Sequence, residues 1–240
     1  MDIHIISGFL GSGKTTFINR YLPLLPGKTA VIQNESGEVP LDVRLPLGKV
    51  PVKELNTGCI CCTLAPNLWK GIGEIREAFH PDQILIEPSG IGKLSEVCRA
   101  CLQAEEKYGI NLRLSKRIVM IDISSFEDDV DGFGQFYTDQ IEWAELLFFT
   151  HMEGMSREEA EEVGSKVRRL NQGAAICMED FRNLSQERLR GLMDMPEREF
   201  SREDEMEIVA VPGEGRILAA SVLERQKVPE IHEQKQGKER

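Results

Sequence analysis

The apolar residues of this chain fall into short runs separated by longer stretches of mixed polarity. Six runs are nearly continuous in apolar side chains: "IHIIS" (3–7), "TAVIQN" (29–34), "QILIEP" (83–88), "RIVMID" (117–122), "ELLFF" (145–149) and "AAICM" (174–178). Strands buried on both faces have this pattern. Between them, apolar positions recur three and four apart in "KTTFINRYL" (14–22), "NLWKGIGEIREAF" (67–79), "LSEVCRACLQAEEKYG" (94–109) and "REEAEEVGSKVRRL" (157–170), which predicts helices. Such alternation predicts an α/β fold, a mainly parallel sheet with helices on both faces. "KVPVKEL" (49–55) reads as an added edge strand or hairpin arm.

Beyond residue 180 the pattern weakens. "SQERLRGLMD" (185–194) predicts a helix, "MEIVAV" (206–211) a strand and "RILAASVLERQ" (216–226) a terminal helix before a polar tail. The expected organisation is a domain over 1–180 and a short C-terminal extension over 181–240, packed on the same domain with a frayed tail.

Charge narrows the partners. The 240 residues carry a formal net charge of −11, which argues against nucleic acid or an anionic membrane surface. No run approaches the 18 apolar residues of a membrane helix, and "MDIHIISGFLGSGKTT" lacks the basic region of a secretory signal. The expected location is cytoplasmic. Thiols stay reduced there, so six cysteines favour metal or redox chemistry over structural disulfides.

"GFLGSGKT" fits G-x-x-x-x-G-K-[ST] from Gly8 to Thr15, after a predicted strand and at the start of a predicted helix. Gly8, Gly11 and Gly13 allow a tight loop whose backbone N–H groups, with that of Ser12, converge on phosphate oxygens, and the helix N-terminus adds positive partial charge. Lys14 is expected on the β- and γ-phosphates and the Thr15 hydroxyl on Mg²⁺, with Thr16 beside them. The fold expected is therefore that of a P-loop NTPase. "ILIEPSG" places Glu87 at a strand end, where it can hold Mg²⁺ through water, and Gly90 three residues on, where its N–H can face the γ-phosphate. "QNESGEVPLD" follows the second strand with Asn34, Glu35, Gly37, Glu38 and Asp42, a polar loop that can rearrange when the γ-phosphate leaves. A solvated acidic loop is the plainer alternative.

"ELNTGCICCTL" (54–64) holds Cys59, Cys61 and Cys62 within four positions. Three thiolates in a tight turn supply most of a four-coordinate site for Zn²⁺ or Co²⁺. A redox pair through Cys59 and Cys61 is the second reading and inert thiols the third. In "EVCRAC", Cys98 and Cys101 share a helix face, read as core thiols or as a second metal or relay site. His4, inside the first strand, reads as structural.

Taken in order, "SGFLGSGKTT", "VIQNESGEVPLD", "ELNTGCICCTL" and "ILIEPSG", followed by "RIVMID", "DQIEWAELL" and "RRLNQGAAI", resemble the G domain of the CobW-type metallochaperone GTPases, relatives of the urease and hydrogenase nickel-insertion GTPases. The resemblance spans residues 3–178. It implies that Lys14, Glu35 and Glu87 are the catalytic residues, with Asn34 and Glu35 as the switch pair. It also implies a metal site on Cys59, Cys61 and Cys62, completed by Glu35, Glu38 or water. Function follows as nucleoside triphosphate hydrolysis, GTP before ATP, coupled to delivery of a transition metal or metallocofactor to a client metalloenzyme or cofactor-assembly protein. The alternatives are a nucleotide- and metal-gated regulatory module with negligible turnover, or an ATPase.

The chain departs from the family at the base. Where family members carry Asn-Lys-x-Asp, it has Thr150, His151, Met152 and Glu153, with Glu153 standing in for the guanine-binding Asp. Losing such polar partners erodes base discrimination. Residues 181–240 are too few for the family's separate C-terminal domain and read as a reduced cap or dimer contact, with a nucleotide-dependent homodimer as a candidate assembly.

Overall fold

The computed structural model describes residues 1–33, 44–45, 48–55 and 60–194, with the backbone alone at 44–45, 48–49 and 60–64. The first predicted strand forms as β1 (Asp2–Gly8) and leads through the glycine loop into α1 (Lys14–Tyr21). There follow β2 (Thr29–Gln33), the short β3 (Arg44–Leu45) and β4 (Gly48–Lys49), β5 (Val52–Glu54) and α2 (Ile60–Phe79). The chain then alternates β6 (Gln83–Glu87), α3 (Leu94–Tyr108) and β7 (Arg113–Asp122), and passes through α4 (Phe126–Phe133) and α5 (Gln135–Trp143). It continues as β8 (Leu146–Thr150), α6 (Arg157–Leu170), β9 (Ala175–Cys177) and α7 (Gln186–Met193).

Among the described residues, seven strands form one parallel sheet in the order β5-β2-β6-β1-β7-β8-β9. Alternation along the strands divides the core. Ile3, Ile5, Ile32, Ile84 and Ile86 pack with α2, α3, α5 and α6 on one face. Ile6, Val31, Leu85, Met120 and Phe148 pack with α1 and α7 on the other. Both faces are covered, which is why these strands read as continuous apolar runs. Phe181, Leu184, Leu189 and Met193 belong to the second cluster, so residues 181–193 pack against α1 within the compact unit Met1–Phe200. The predicted elements at 206–211 and 216–226 lie outside the described residues.

Three helices differ from the pattern-based expectation. Helix α2 begins at Ile60 rather than Asn67, with Pro66 inside it. Proline lacks the N–H that would reach the carbonyl four residues back, so it reads as a breaker. As a result, Cys61 and Cys62 stand in the first turn of a helix rather than in an irregular turn. The pair α4 and α5 was not expected. Each is short, and they meet at Gly134 (φ +50°), whose break hides the helical period.

His4 is structural, as expected. It is buried in β1 with Nδ1 2.8 Å from the Tyr21 hydroxyl, and burial lowers its pKa to about 4. An unfolded histidine titrates near 6.5. Between these values the unfolded chain takes up a proton that the folded chain refuses, so this contribution is complete above pH 6.5 and is lost as pH falls towards 4. Its size is on the order of 3 kcal/mol. Urea unfolding across that window is expected to lose about one proton of pH dependence in His4→Gln relative to the parent chain. An unchanged slope removes His4 as the source.

Candidate nucleotide site

The loops leaving β1, β6 and β7 open at the carboxyl end of the sheet, where parallel α/β folds bind ligands. The glycine loop is built there by backbone constraint. Gly8 (φ +142°) lies where a Cβ would stand 2.5 Å from the Met120 carbonyl oxygen, and Gly13 (φ +92°) caps α1 in a left-handed conformation. Ser12 N–H donates to the Phe9 carbonyl at 3.2 Å and Phe17 N–H to that of Gly13 at 2.9 Å. Lys14 Nζ donates to the Phe9 carbonyl at 2.9 Å, arching over the loop, and Thr16 is exposed beside it. Ser12 Oγ is buried without a hydrogen-bond partner among the described residues. A phosphate oxygen would satisfy such a group.

Glu87 sits beneath this loop. Its carboxylate, buried at the end of β6, accepts from Thr15 Oγ1 at 3.0 Å and from Gln33 Nε2 at 2.9 Å. The two residues expected on Mg²⁺, Thr15 and Glu87, are thus adjacent, and their hard oxygen donors suit that ion. Gln33 is a residue of this candidate site that the apolar pattern did not single out. Its signal is a polar side chain ending an apolar strand, in register with Glu87 on the neighbouring strand.

Gly90 lies against the loop itself. A Cβ there would meet Leu10 N at 2.8 Å and the Phe9 carbonyl carbon at 3.1 Å, which excludes a side chain. The expected phosphate-site residues Gly8, Gly11, Ser12, Gly13, Lys14, Thr15, Glu87 and Gly90 therefore converge.

The base end is built differently. Thr150 is buried at the end of β8 and donates its hydroxyl to the Ile121 carbonyl at 3.1 Å. His151 (φ +54°) turns its Nδ1 to within 3.0 Å of Asp122 Oδ2. Glu153 is exposed and ion-paired with Arg182, whose guanidinium also lies 2.8 Å from Asp180. The hydrogen bond from Arg182 holds the Glu153 carboxyl below its usual range, and the same pairing, led by Asp180, raises Arg182. Asp122 and Arg182 carried no motif by which the sequence alone marked them.

Asn34, Glu35, Glu38 and Cys59 lie outside the described residues, as do the side chains of Cys61 and Cys62. Cys98 and Cys101 are fully buried in α3. Burial pushes the first thiol up to about 12 and the second well above the usual thiol range. They pack inside the larger apolar cluster, as core thiols do, and no third metal-ligating side chain joins them among the described residues. No cluster of metal-ligating side chains occurs among the described residues.

The sequence profile of the "CobW/HypB/UreG, nucleotide-binding domain" family matches residues 2–178. The chain belongs to the CobW/HypB/UreG family. Among curated relatives it is 31% identical over 150 residues to the zinc chaperone YeiR of Escherichia coli, covering 60% of this chain and 44% of that protein. It is 35% identical over 108 residues to the zinc-regulated GTPase metalloprotein activator 1 of Dictyostelium discoideum, covering 39% and 23%. This family member thus spans less than half the length of either relative. The fold matches the Zn(II)-bound YjiA GTPase of E. coli with a TM-score of 0.57 at 19% identity, covering 86% of this chain and 69% of that one.

Proposed function

We propose that the chain hydrolyses GTP and couples the nucleotide cycle to passing zinc, held by Cys59, Cys61 and Cys62, to a client metalloenzyme or cofactor-assembly protein. The observation that carries the hydrolytic half is the Glu87 carboxylate, buried below the phosphate loop between Thr15 and Gln33. A buried carboxylate there, paired with a hydroxyl one hydrogen bond away, is the arrangement that orients a metal–triphosphate complex. Thr15 and Glu87 would hold Mg²⁺, which neutralises charge on the β- and γ-phosphates when bound. The protein's own contributions are positional. Lys14 exchanges the Phe9 carbonyl for phosphate oxygens, the loop N–H groups cradle the phosphates, and Gly90 presents its N–H to the γ-phosphate. Glu35 acts from the switch segment.

Zinc before cobalt is supported by the names of two relatives, one a zinc chaperone and the other a zinc-regulated GTPase metalloprotein activator. Cys61 and Cys62 lie in the first turn of α2, and with Cys59 from the preceding segment they would make a three-thiolate set with Glu35, Glu38 or water as the fourth ligand. A nucleotide-dependent homodimer is part of the same proposal.

A second reading concerns the base. Thr150 has committed its hydroxyl to the sheet and Glu153 is paired with Arg182, which favours relaxed purine use over strict GTP recognition. One experiment tests both readings: steady-state turnover of GTP and ATP, each with and without equimolar Zn²⁺. GTP turnover that changes with zinc is expected, with selectivity over ATP well below the roughly 10⁴-fold of a fully hydrogen-bonding site. Thr150→Asn with His151→Lys and Glu153→Asp should raise the GTP:ATP ratio tenfold or more, within the range a restored polar contact commands. Absence of turnover in every condition would make the chain a nucleotide-gated regulator. Strong GTP selectivity in the unaltered protein would mean that other groups read the base.

A further inference from the structure

Two neighbouring residues of α5 grip both ends of the turn that follows Glu87. Asp139 accepts from Ser95 N–H at 3.0 Å and from Ser95 Oγ at 2.6 Å, fastening the first turn of α3. Gln140 is buried one residue later. Its Nε2 donates to the Gly90 carbonyl at 2.9 Å, and its Oε1 accepts from Ser7 Oγ at 2.9 Å. The orientation of this amide is fixed by chemistry, since a carbonyl oxygen can only accept and must face the NH₂ group.

Ser7 is the residue before Gly8, so one side chain ties the start of the phosphate loop to Gly90. Helix α5 is itself anchored. Buried Asn171 donates to the carbonyls of Ile141 at 2.7 Å and Ala144 at 2.9 Å, pinning the C-terminal end of α5. Gly90 is thus held on one side by the Phe9–Leu10 backbone and on the other by an amide on a fastened helix.

We propose that Gln140 is a positioning residue for γ-phosphate recognition: its amide holds the Gly90 peptide against the phosphate loop, so that the Gly90 N–H is in place when a triphosphate arrives. This rests on the reading of Gly90 above. A diphosphate needs the loop alone, whereas a triphosphate needs the loop and the turn. Loosening the turn therefore changes the ratio of the two affinities. General damage to the fold would lower both together.

The test uses the full chain and calorimetric affinities for a non-hydrolysable GTP analogue and for GDP. Gln140→Glu keeps the size and the acceptor for Ser7 but sets a carboxylate against the Gly90 carbonyl. Gln140→Ala removes both bonds. GDP affinity should stay within about twofold, while analogue affinity should fall about tenfold, the worth of one lost buried hydrogen bond. The Gln140→Glu defect should also shrink as pH falls relative to the parent chain, because a protonated carboxyl donates to Gly90 again. Gly90→Ala, whose Cβ would press on Leu10 N, serves as the reference. Equal losses for both nucleotides in the Gln140 variants overturn the inference. If Gly90→Ala shifts the ratio and the Gln140 variants do not, the inference fails while Gly90 keeps its role. If Gly90→Ala leaves the ratio unchanged, the Gly90 reading falls and this one with it.

Discussion

Lys14→Ala is expected to lower triphosphate affinity and turnover by on the order of 10²–10³, the cost of removing one preorganised donor from developing phosphate charge. The fold should survive. Lys14 opens α1, where alanine is the stronger helix former, and its amine bonds a loop carbonyl rather than a core group. The Phe9 carbonyl that Lys14 leaves still accepts from the Ser12 N–H at 3.2 Å. Thermal unfolding and calorimetry with GDP and a GTP analogue separate the two effects. A folded Lys14→Ala protein with parental affinity for the analogue would remove the phosphate site from this loop. Glu87 offers an internal comparison, because Glu87→Gln retains an acceptor for Thr15 but lacks the charge. It should therefore impair Mg²⁺-dependent binding more than Mg²⁺-free binding.

Cys61→Ser is expected to weaken zinc binding by more than the roughly 10–100-fold that loss of a mere outer-shell partner costs. A serine hydroxyl stays protonated near neutral pH, whereas a metal-bound cysteine ionises. Binding should therefore release protons and weaken as pH falls. Co²⁺ reports the same site, since tetrahedral thiolate coordination gives intense visible bands. Titrating it into reduced protein with a GTP analogue, with GDP and without nucleotide tests the coupling as well. Cys98→Ala is the control and should leave stoichiometry unchanged, because that thiol is fully buried in the apolar core. Parental stoichiometry and spectrum in Cys61→Ser would place the metal elsewhere. Identical affinity in all three nucleotide states would keep the site and discard the coupling, since reciprocity requires a ligand to shift the state it prefers.

The parallel sheet and the phosphate loop are legible in the sequence, because both are written in local terms. A strand covered on both faces must be apolar along its length, and "IHIIS" and "ELLFF" are. A backbone that wraps phosphate needs left-handed residues at fixed offsets, and Gly11 and Gly13 adopt φ of +78° and +92°. Glu87 was equally legible as an acid closing such a strand. What surrounds these groups depends on how distant segments come together in the fold. Gln33 reaches Glu87 across 54 positions and Gln140 reaches Gly90 across 50. An amide carries no period or motif that announces its partner, and its hydrogen bonds are set by which strands lie side by side. The same holds for the base end, where Arg182 meets Glu153 because β9 runs beside β8. Helix α2 shows the limit from the other side. Pro66 reads locally as a breaker, yet the helix that starts at Ile60 runs through it. Leu68, Ile72 and Ile75 bury one face of that helix against the sheet, and packing of this kind can outweigh one missing backbone hydrogen bond.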